Sequence, residues 1–552
     1  MRTIRPSSPS EEGGERAERR ARRALKMTRL FVDHREAPVS AGASLFDCAE
    51  QIGIQVPTSC VKQGKCRECL LEVEEGGELL TERTPEEAHL DGRFRLACRT
   101  RIVDQGGEGT VRCHTMRRGS MRVVDDSSDL PEVELRLDPR VARGYGIALD
   151  LGTTTVAMRL YNLETGALVA SQSFENPQRF GGSDIMARIH YDTHHKGRLL
   201  QRTLLGYLQH AIERFPVPPG SIVEMTVAAN TTMRDLFFGL DVHPIGQKPY
   251  RSSTEHDLKA GKRGTTALAT EAKRLRLPIH PEARVYGLPL LGSHVGADAA
   301  ACLLATGLAE RAGVSVVMDI GTNTELIVGD RDRIVAASCP AGPAFEGGGV
   351  LCGMPGLDGA IERIAIADDG RVSLQVIGDK EPEGICGSGL VDLLSELLRT
   401  GRMNAQGRLG EGVDRFVVEP DHGIFFTEMD INELAQAKGA NVAGLRIALD
   451  VFGIALEDIE RFYLAGGFAR HIDPDAGRRI GLLPPLPEEK LVRVGNASLE
   501  GASRILLSES YRRELESLAL RVEHIELETH ETFFDFFVEG CQFVPIGAEV
   551  LH

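Results

Sequence analysis

The strongest pattern along this chain is an apolar run that breaks into a polar turn, and it occurs twice. Tyr145-Gly146-Ile147-Ala148-Leu149 leads into Asp150-Leu151-Gly152-Thr153-Thr154-Thr155. Val314-Ser315-Val316-Val317-Met318 leads into Asp319-Ile320-Gly321-Thr322-Asn323-Thr324. Apolar runs of this length, bounded by turn residues, predict buried strands. Behind each turn a second apolar stretch closes on Leu163-Glu164-Thr165-Gly166 or on Gly329-Asp330-Arg331-Asp332. Each unit thus reads as strand, tight turn, strand. Two such units predict a duplicated domain whose turns face each other across a cleft. Two ordinary Gly-Thr hairpins would show the same local pattern; the duplication favours the cleft.

The same patterning places the other elements. Leu30 to Val32 and Ala37 to Ser40 predict short strands. A helix follows, capped by Ser44 with Asp47 as capping partner and stopped at Gly53. Leu70 to Glu74 and Ile102-Val103 are strand-like. From about Thr115 to Arg143 the chain is charged, with Asp125-Asp126-Ser127-Ser128-Asp129 at its centre, and reads as a linker. Asn176-Pro177-Gln178 and Gly181-Gly182 precede a helix starting near Asp184. The strand Ile222 to Ala228 runs into Asn230-Thr231-Thr232-Met233, residues that suit either a ligand at a strand's carboxyl end or a helix cap. Gly296-Ala297-Asp298 opens an Ala-rich helix, with Asp298 either facing the cleft or complementing the helix dipole. Gly384-Ile385-Cys386-Gly387-Ser388-Gly389 precedes an amphipathic helix, Leu390 to Leu398. Phe533, Phe534, Phe536 and Phe537 cluster in a chain poor in aromatics, as core or as a partner surface.

Composition removes whole classes of function. The chain has 552 residues, enough for several domains, and a net charge of −16 that argues against nonspecific nucleic-acid binding. No apolar run approaches the ~18 residues of a membrane span. The first 26 residues are rich in Arg and Glu and lack an apolar h-region, so they read as a disordered tail or as sequence upstream of a start at Met27. Eleven cysteines are too few for a disulfide scaffold in so long a chain, and a cytoplasmic setting is expected.

The turns carry the first chemistry. Glycine at Gly152 and Gly321 lets exposed N–H groups approach an anion. The hydroxyls of Thr153, Thr154, Thr155, Thr322 and Thr324, with the Asn323 amide, add donors. Asp150 and Asp319 can hold a hydrated Mg²⁺. These turns resemble the phosphate-1 and phosphate-2 motifs of the acetate and sugar kinase, heat-shock chaperone and actin ATPase superfamily. Leu464-Ala465-Gly466-Gly467-Phe468-Ala469, behind an apolar strand, resembles that superfamily's adenosine motif. There Gly466 and Gly467 would leave room for a flat base, and the motif order matches. Gly387-Ser388-Gly389 before a helix can take an anion or let a ribose approach.

The second chemistry is in the cysteines. Cys60, Cys66 and Cys69 are spaced C-x₅-C-x₂-C, and Cys98 follows after 28 residues. The plant ferredoxin spacing is C-x₄-C-x₂-C…C, and the longer first gap resembles adrenodoxin-type ferredoxins. Four thiolates also suit Zn²⁺, but zinc ribbons pair two C-x₂-C knuckles and here there is one. Cys48 and Cys113 lie outside the pattern, as core residues.

A ferredoxin module, a linker and this ATPase domain together resemble the reductive activators of corrinoid proteins. The resemblance extends from about Arg29 to the carboxyl terminus and includes Ala341-Gly342-Pro343-Ala344-Phe345-Glu346-Gly347 and Gly495-Asn496-Ala497-Ser498-Leu499-Glu500-Gly501. It implies a multidomain α+β and α/β chain: a tail (1–28), a β-grasp [2Fe–2S] domain (29–114), a linker (115–144) and two actin-like halves (145–305 and 306–552). It further implies ATP, Mg²⁺ and a [2Fe–2S] cluster as cofactors, a corrinoid protein of a methyltransferase system and an upstream low-potential electron donor as partners, and a homodimer as one assembly. Co(II) would be reduced to Co(I) at the expense of ATP. Alternatives from other classes are a ferredoxin-linked metabolite kinase with Asp298 as its catalytic carboxylate, an ATP-driven donor to another low-potential enzyme, and a non-catalytic redox module.

Overall fold

The computed structural model describes residues 28–33, 35–39, 42–90, 92–103, 109–116, 130, 144–292, 294–467 and 469–547. The expected tail, Thr28 apart, and nearly all of the expected linker, Asp125 to Asp129 included, lie outside the described residues. Those described form two compact units.

In the first unit, strands β1 (Thr28–Val32), β2 (Arg35–Ala37), β3 (Leu70–Glu75), β4 (Phe94–Leu96) and β5 (Gly109–Thr115) form one sheet in the order β2-β1-β5-β3-β4. The β1–β5 pair is parallel, Thr28 opposite Gly109 through Val32 opposite Cys113. Helix α1 (Leu45–Gln51) packs against β2. Its Ser44 and Asp47 form the capping box that the sequence predicts. Leu30, Val32, Leu45, Phe46, Leu71, Leu96 and Val111 are buried, with Cys48 and Cys113 among them. Mixed sheet plus helix is the β-grasp architecture. The second strand ends at Ala37, earlier than expected.

The second unit holds the duplication. Strands β6 (Tyr145–Leu151), β7 (Thr155–Asn162), β8 (Leu168–Glu175), β9 (Ile222–Ala229), β10 (Leu268–Glu271) and β11 (Arg284–Gly287) form a sheet in the order β10-β11-β9-β6-β7-β8. Between them lie helices α2 (Ile185–His194) and α3 (Thr231–Phe238), and after them α4 (Ala297–Thr306). The second sheet takes β12 (Ser315–Asp319), β13 (Thr324–Gly329) and β14 (Ile334–Cys339). After a small sheet of β15 (Ala360–Ile366), β16 (Val372–Val376) and β17 (Gly384–Ile385), helix α5 (Gly387–Arg399), the hairpin β18 (Arg415–Glu419) and β19 (Ile424–Thr427), and helix α6 (Glu428–Phe452), the main sheet resumes. It adds β20 (Arg461–Ala465), β21 (Leu491–Gly495) and β22 (Glu523–His524), giving the order β21-β20-β12-β13-β14-β22. In both sheets an antiparallel three-strand meander is extended by parallel strands from its first strand.

Strand alternation explains how the layers assemble. Val316 and Met318 point into one core with Leu326, Val328, Phe462 and Leu464. Val317, Ile327, Tyr463 and Ala465, each one residue off, point into another core with Ala148, Ala157 and Ala228 of the first sheet. The layer between is filled by α4 and α7 (Ala497–Leu507). Small residues let these helices meet closely: a Cβ on Gly501 would stand 2.1 Å from the Ala301 carbonyl oxygen. Helix α8 (Phe533–Gly540) lies on α6. Its phenylalanines divide. Phe533 and Phe536 rest against the second core, whereas Phe534 is 71% exposed. Among the described residues no helix is long and apolar enough to cross a membrane.

Candidate functional site

In the first unit Cys60 and Cys66 sit in the loop before β3, Cys69 at its entry and Cys98 just past β4. The Cys69 and Cys98 sulfurs are 3.3 Å apart, and the Thr58 hydroxyl lies 3.9 and 3.8 Å from those of Cys60 and Cys66. The loop is tightly wound: Val61, Lys62 and Arg67 have φ of 51°, 62° and 64°. For a β-branched residue such as Val61 that is a strained conformation. The winding turns backbone N–H groups inward, those of Gln63, Lys65 and Cys66 toward the Cys60 sulfur and that of Gly64 toward Cys98. Burial raises the Cys60 thiol, but these N–H groups and the Cys66 thiol outweigh it and bring it down to about 7. At Cys98 the Cys69 thiol, followed by the Arg99 charge, lowers the pKa against burial. A cradle of N–H donors around four thiols fits a group with several electron-rich sulfurs. Among the described residues no three His, Cys, Asp or Glu side chains stand at the distances of a closed metal cage.

In the second unit the two predicted turns meet. The Thr154 and Thr322 hydroxyls are 3.1 Å apart, and both donate to Oε2 of Glu346, Thr154 at 3.0 Å. The cleft they border encloses about 1320 Å³ when the open solvent at its mouth is counted. Asp150, Gly152, Thr153, Thr154, Thr155, Asp319, Gly321, Thr322, Asn323, Gly387, Ser388, Gly466 and Gly467 line it. Two expected residues do not. Thr324 is fully buried at the start of β13. Gly389 lies within the first turn of α5, where a Cβ would stand 2.3 Å from the Ile361 carbonyl oxygen. That glycine serves packing of α5 on β15. The Gly-Ser-Gly run is therefore the helix's own first turn, capped at Cys386, and not a loop ahead of it.

Each carboxylate has its own support. Asn496 Nδ2 and Ser498 Oγ donate to the two oxygens of Asp150, both at 2.8 Å. Burial raises Asp150 while these bonds pull it down. Asp319 accepts from the Cys302 thiol at 3.3 Å and is pushed up to about 6, first by burial and then by the charges of Asp150 and Glu346. Asp298 is pushed up to about 7 by burial, with Asp319 and Asp150 adding, against the Ala299 N–H that donates to it. All three face the cleft and are only partly covered, so water there moderates the shifts. Among the described residues no three such side chains stand close enough to hold an ion directly; carboxylate oxygens are hard donors of the kind that binds Mg²⁺ through water.

The sequence reading of Asn230 left ligand and cap open, and the structure combines two bonds. Asn230 caps α3 through Met233 N–H and donates Nδ2 to Thr153 Oγ1 at 3.0 Å. Asn176 Nδ2 holds the Gly152 carbonyl at 2.8 Å. Pattern reading missed Arg188, which is wholly buried on α2 and donates to the carbonyls of Thr153 (2.7 Å) and Gly182 (3.0 Å). Burial pulls it down to about 9. Nothing local marks it, since it lies 33 residues beyond Thr155. At Gly466, φ of 110° and a Cβ position 2.3 Å from the Ile320 carbonyl oxygen both require glycine, while the space beside Gly467 is open. Phe345, Met354 and Ile377 give the cleft an apolar wall.

Comparison with known proteins places three family models end to end: a 2Fe-2S iron-sulfur cluster binding domain (residues 31–103), the RACo middle region (145–311) and the C-terminal domain of RACo, the ASKHA domain (313–551). The chain is 27% identical to the corrinoid activation enzyme RamQ of Eubacterium limosum, over 92% of this chain and 97% of that protein. It is 25% identical to the [Co(II) methylated amine-specific corrinoid protein] reductase of Methanosarcina barkeri, over 71% and 76%. A solved structure, a reductive activator for a corrinoid, iron-sulfur protein, matches with a TM-score of 0.68 and 27% identity, covering 95% of this chain and 99% of that one. The first unit is an iron–sulfur domain and the second a nucleotide-binding ASKHA domain.

Proposed function

Because this chain belongs to the family of reductive activators of corrinoid proteins, we propose that it reduces the inactive Co(II) of a corrinoid protein to Co(I), one electron at a time, using ATP. The observation that carries the reading is the pairing, in one chain, of a four-thiol cradle with a duplicated phosphate cleft. Cys60, Cys66, Cys69 and Cys98 would hold a [2Fe–2S] cluster, which supplies one-electron transfer when bound. Asp150 and Asp319 would hold Mg²⁺ through water, the two turns the phosphates, and Gly466 and Gly467 the face of the base. The partner protein would serve a methyltransferase system, the electron would come from a low-potential donor, and the setting would be cytoplasmic.

Energetics give a reason for joining the two units. Plant-type clusters sit near about −400 mV, and each ~59 mV uphill costs about 1.4 kcal/mol for one electron. A gap of a few hundred millivolts to Co(I) would then need on the order of 5–7 kcal/mol. Nucleotide binding and hydrolysis can supply that through a change of conformation. The protein need only alter the cobalt's ligand field on binding, pass one electron, and be released. The test mixes the protein with a Co(II) corrinoid protein, a chemical reductant and ATP, and follows the corrinoid's visible absorption. Co(I) should accumulate only with ATP, and the ATPase should quicken when the corrinoid protein is added. A rate that responds instead to a small hydroxylated metabolite would replace this reading with the kinase.

A further inference from the structure

The Glu346 carboxylate occupies an unusual place. It accepts hydrogen bonds from Thr154 of one phosphate turn and Thr322 of the other, and those hydroxyls lie 3.1 Å from each other. An anionic oxygen shared by both turns is what a terminal phosphoryl group would present at the same spot. Burial raises Glu346, while the two hydroxyls and the charges of Arg188 and Arg179 draw it back. The backbone beneath it is fixed. Phe345 is 2% exposed, and Gly347 has φ of 85° with a Cβ position only 2.4 Å from the Met354 N–H nitrogen. The 3₁₀ turn Ala344–Glu346 therefore stays in place while the side chain alone can swing.

Resting on the nucleotide reading of this cleft, we infer that Glu346 fills the terminal-phosphate seat when the cleft is empty and positions the attacking water once that phosphate displaces it. Two anions cannot share the threonine hydroxyls, because like charges in contact are strongly unfavourable. The displaced carboxylate remains tethered a side chain's length away, and a water molecule between it and the phosphate relieves the repulsion by donating to both. In the step that follows, the water oxygen bonds to the terminal phosphorus as the bond to the bridging oxygen breaks. ADP leaves with that electron pair, and one water proton passes to the Glu346 carboxylate and on to solvent. The other carboxylates of the cleft are engaged differently: Asp150 is held by Asn496 and Ser498, Asp319 by Cys302, Asp298 by the Ala299 N–H, Glu325 by Ser338 and Glu362 by Gln375.

The test compares full-length wild type with Glu346→Gln and Glu346→Ala, measuring ATP and ADP affinity by calorimetry and then kcat and KM. Both substitutions should tighten ATP relative to ADP by at least about tenfold, because only ATP competes for the seat. Both should lower kcat by about 100-fold or more without raising KM. Unchanged ADP binding and an unchanged iron–sulfur spectrum show that each variant is folded, and Glu346→Gln keeps an acceptor for the threonines if Glu346→Ala does not fold. An ATP-to-ADP affinity ratio equal to that of wild type overturns the proposal, and so does a kcat within about threefold of it. If wild type itself binds neither nucleotide, the reading of the cleft fails instead.

Discussion

At the scale of single residues the site divides into groups that local sequence announces and groups that only the fold brings in. Asp150 and Asp319 stand out because a glycine, hydroxyls and an apolar run recur around each. The partners of Asp150 do not stand out, since Asn496 is 346 residues away in the chain and reaches Asp150 only because β21 ends beside β6's cleft end. Their motif, Gly495 to Gly501, is legible as a motif; its task is not. The four cysteines are the opposite case. Their spacing alone marks them as the proposed ligand set, because a cluster constrains the loop that holds it. Cys113 shows the contrast, buried on β5 with its thiol raised by the apolar surroundings and donating to the Phe31 carbonyl at 3.5 Å. Protein purified without oxygen should be brown, with about two irons and two sulfides per chain. Cys66→Ala or Cys69→Ala should bleach it, and Cys113→Ala should keep the colour and the iron. Stoichiometric zinc in a colourless, metal-replete sample would sink the assignment.

Elements were readable where a period of two or a cap recurs, and less so where a residue's neighbour is remote. The first two strands of each meander follow from apolar runs, the third of each is not among the expected strands, and Ser44 with Asp47 marks the start of α1. Helix α5 begins at Gly387 and not at the expected Leu390, because glycine reads as a loop signal although here Gly389 is small to admit the backbone of β15. The same physics governs the crossing of α4 and α7. An Ala-rich helix offers a shallow surface, and Gly501 lets the facing backbone approach to where a Cβ would be 2.1 Å from the Ala301 oxygen and 2.7 Å from its Cα. Rotation of a side chain cannot relieve a clash with backbone, so the helices themselves must separate. Gly501→Ala should therefore cost about 3 kcal/mol, near the upper end for overpacking. Urea unfolding followed by far-UV circular dichroism should show the midpoint fall, while the iron–sulfur absorption at low urea is unchanged. An unshifted midpoint would mean that the two helices have slack at this crossing.

Across the whole molecule, the order of parts is what the sequence conveys best: a thiol loop, then two copies of a phosphate turn, then a glycine pair. The charged stretch between the units lies almost wholly outside the described residues, so its part in electron transfer has to be tested by function. Under the proposed activity the electron enters through the cysteine-bearing unit and the free energy through the cleft, and each unit alone should therefore keep only its own half of the task. A chain beginning at Tyr145 retains every residue that lines the cleft. It should bind nucleotide as the full-length protein does, yet yield no Co(I) from a Co(II) corrinoid protein with reductant and ATP present. Deleting Asp125 to Asp129 from the full-length chain, which spares the buried Leu130, should slow Co(I) formation more than it slows ATP hydrolysis, because the cluster would then be hindered in reaching the cobalt. Visible absorption of the corrinoid, with and without ATP, reads Co(I) in both experiments, and phosphate release reads ATP hydrolysis. Equal Co(I) yield from the truncated and full-length chains would mean that the electron does not pass through the four cysteines.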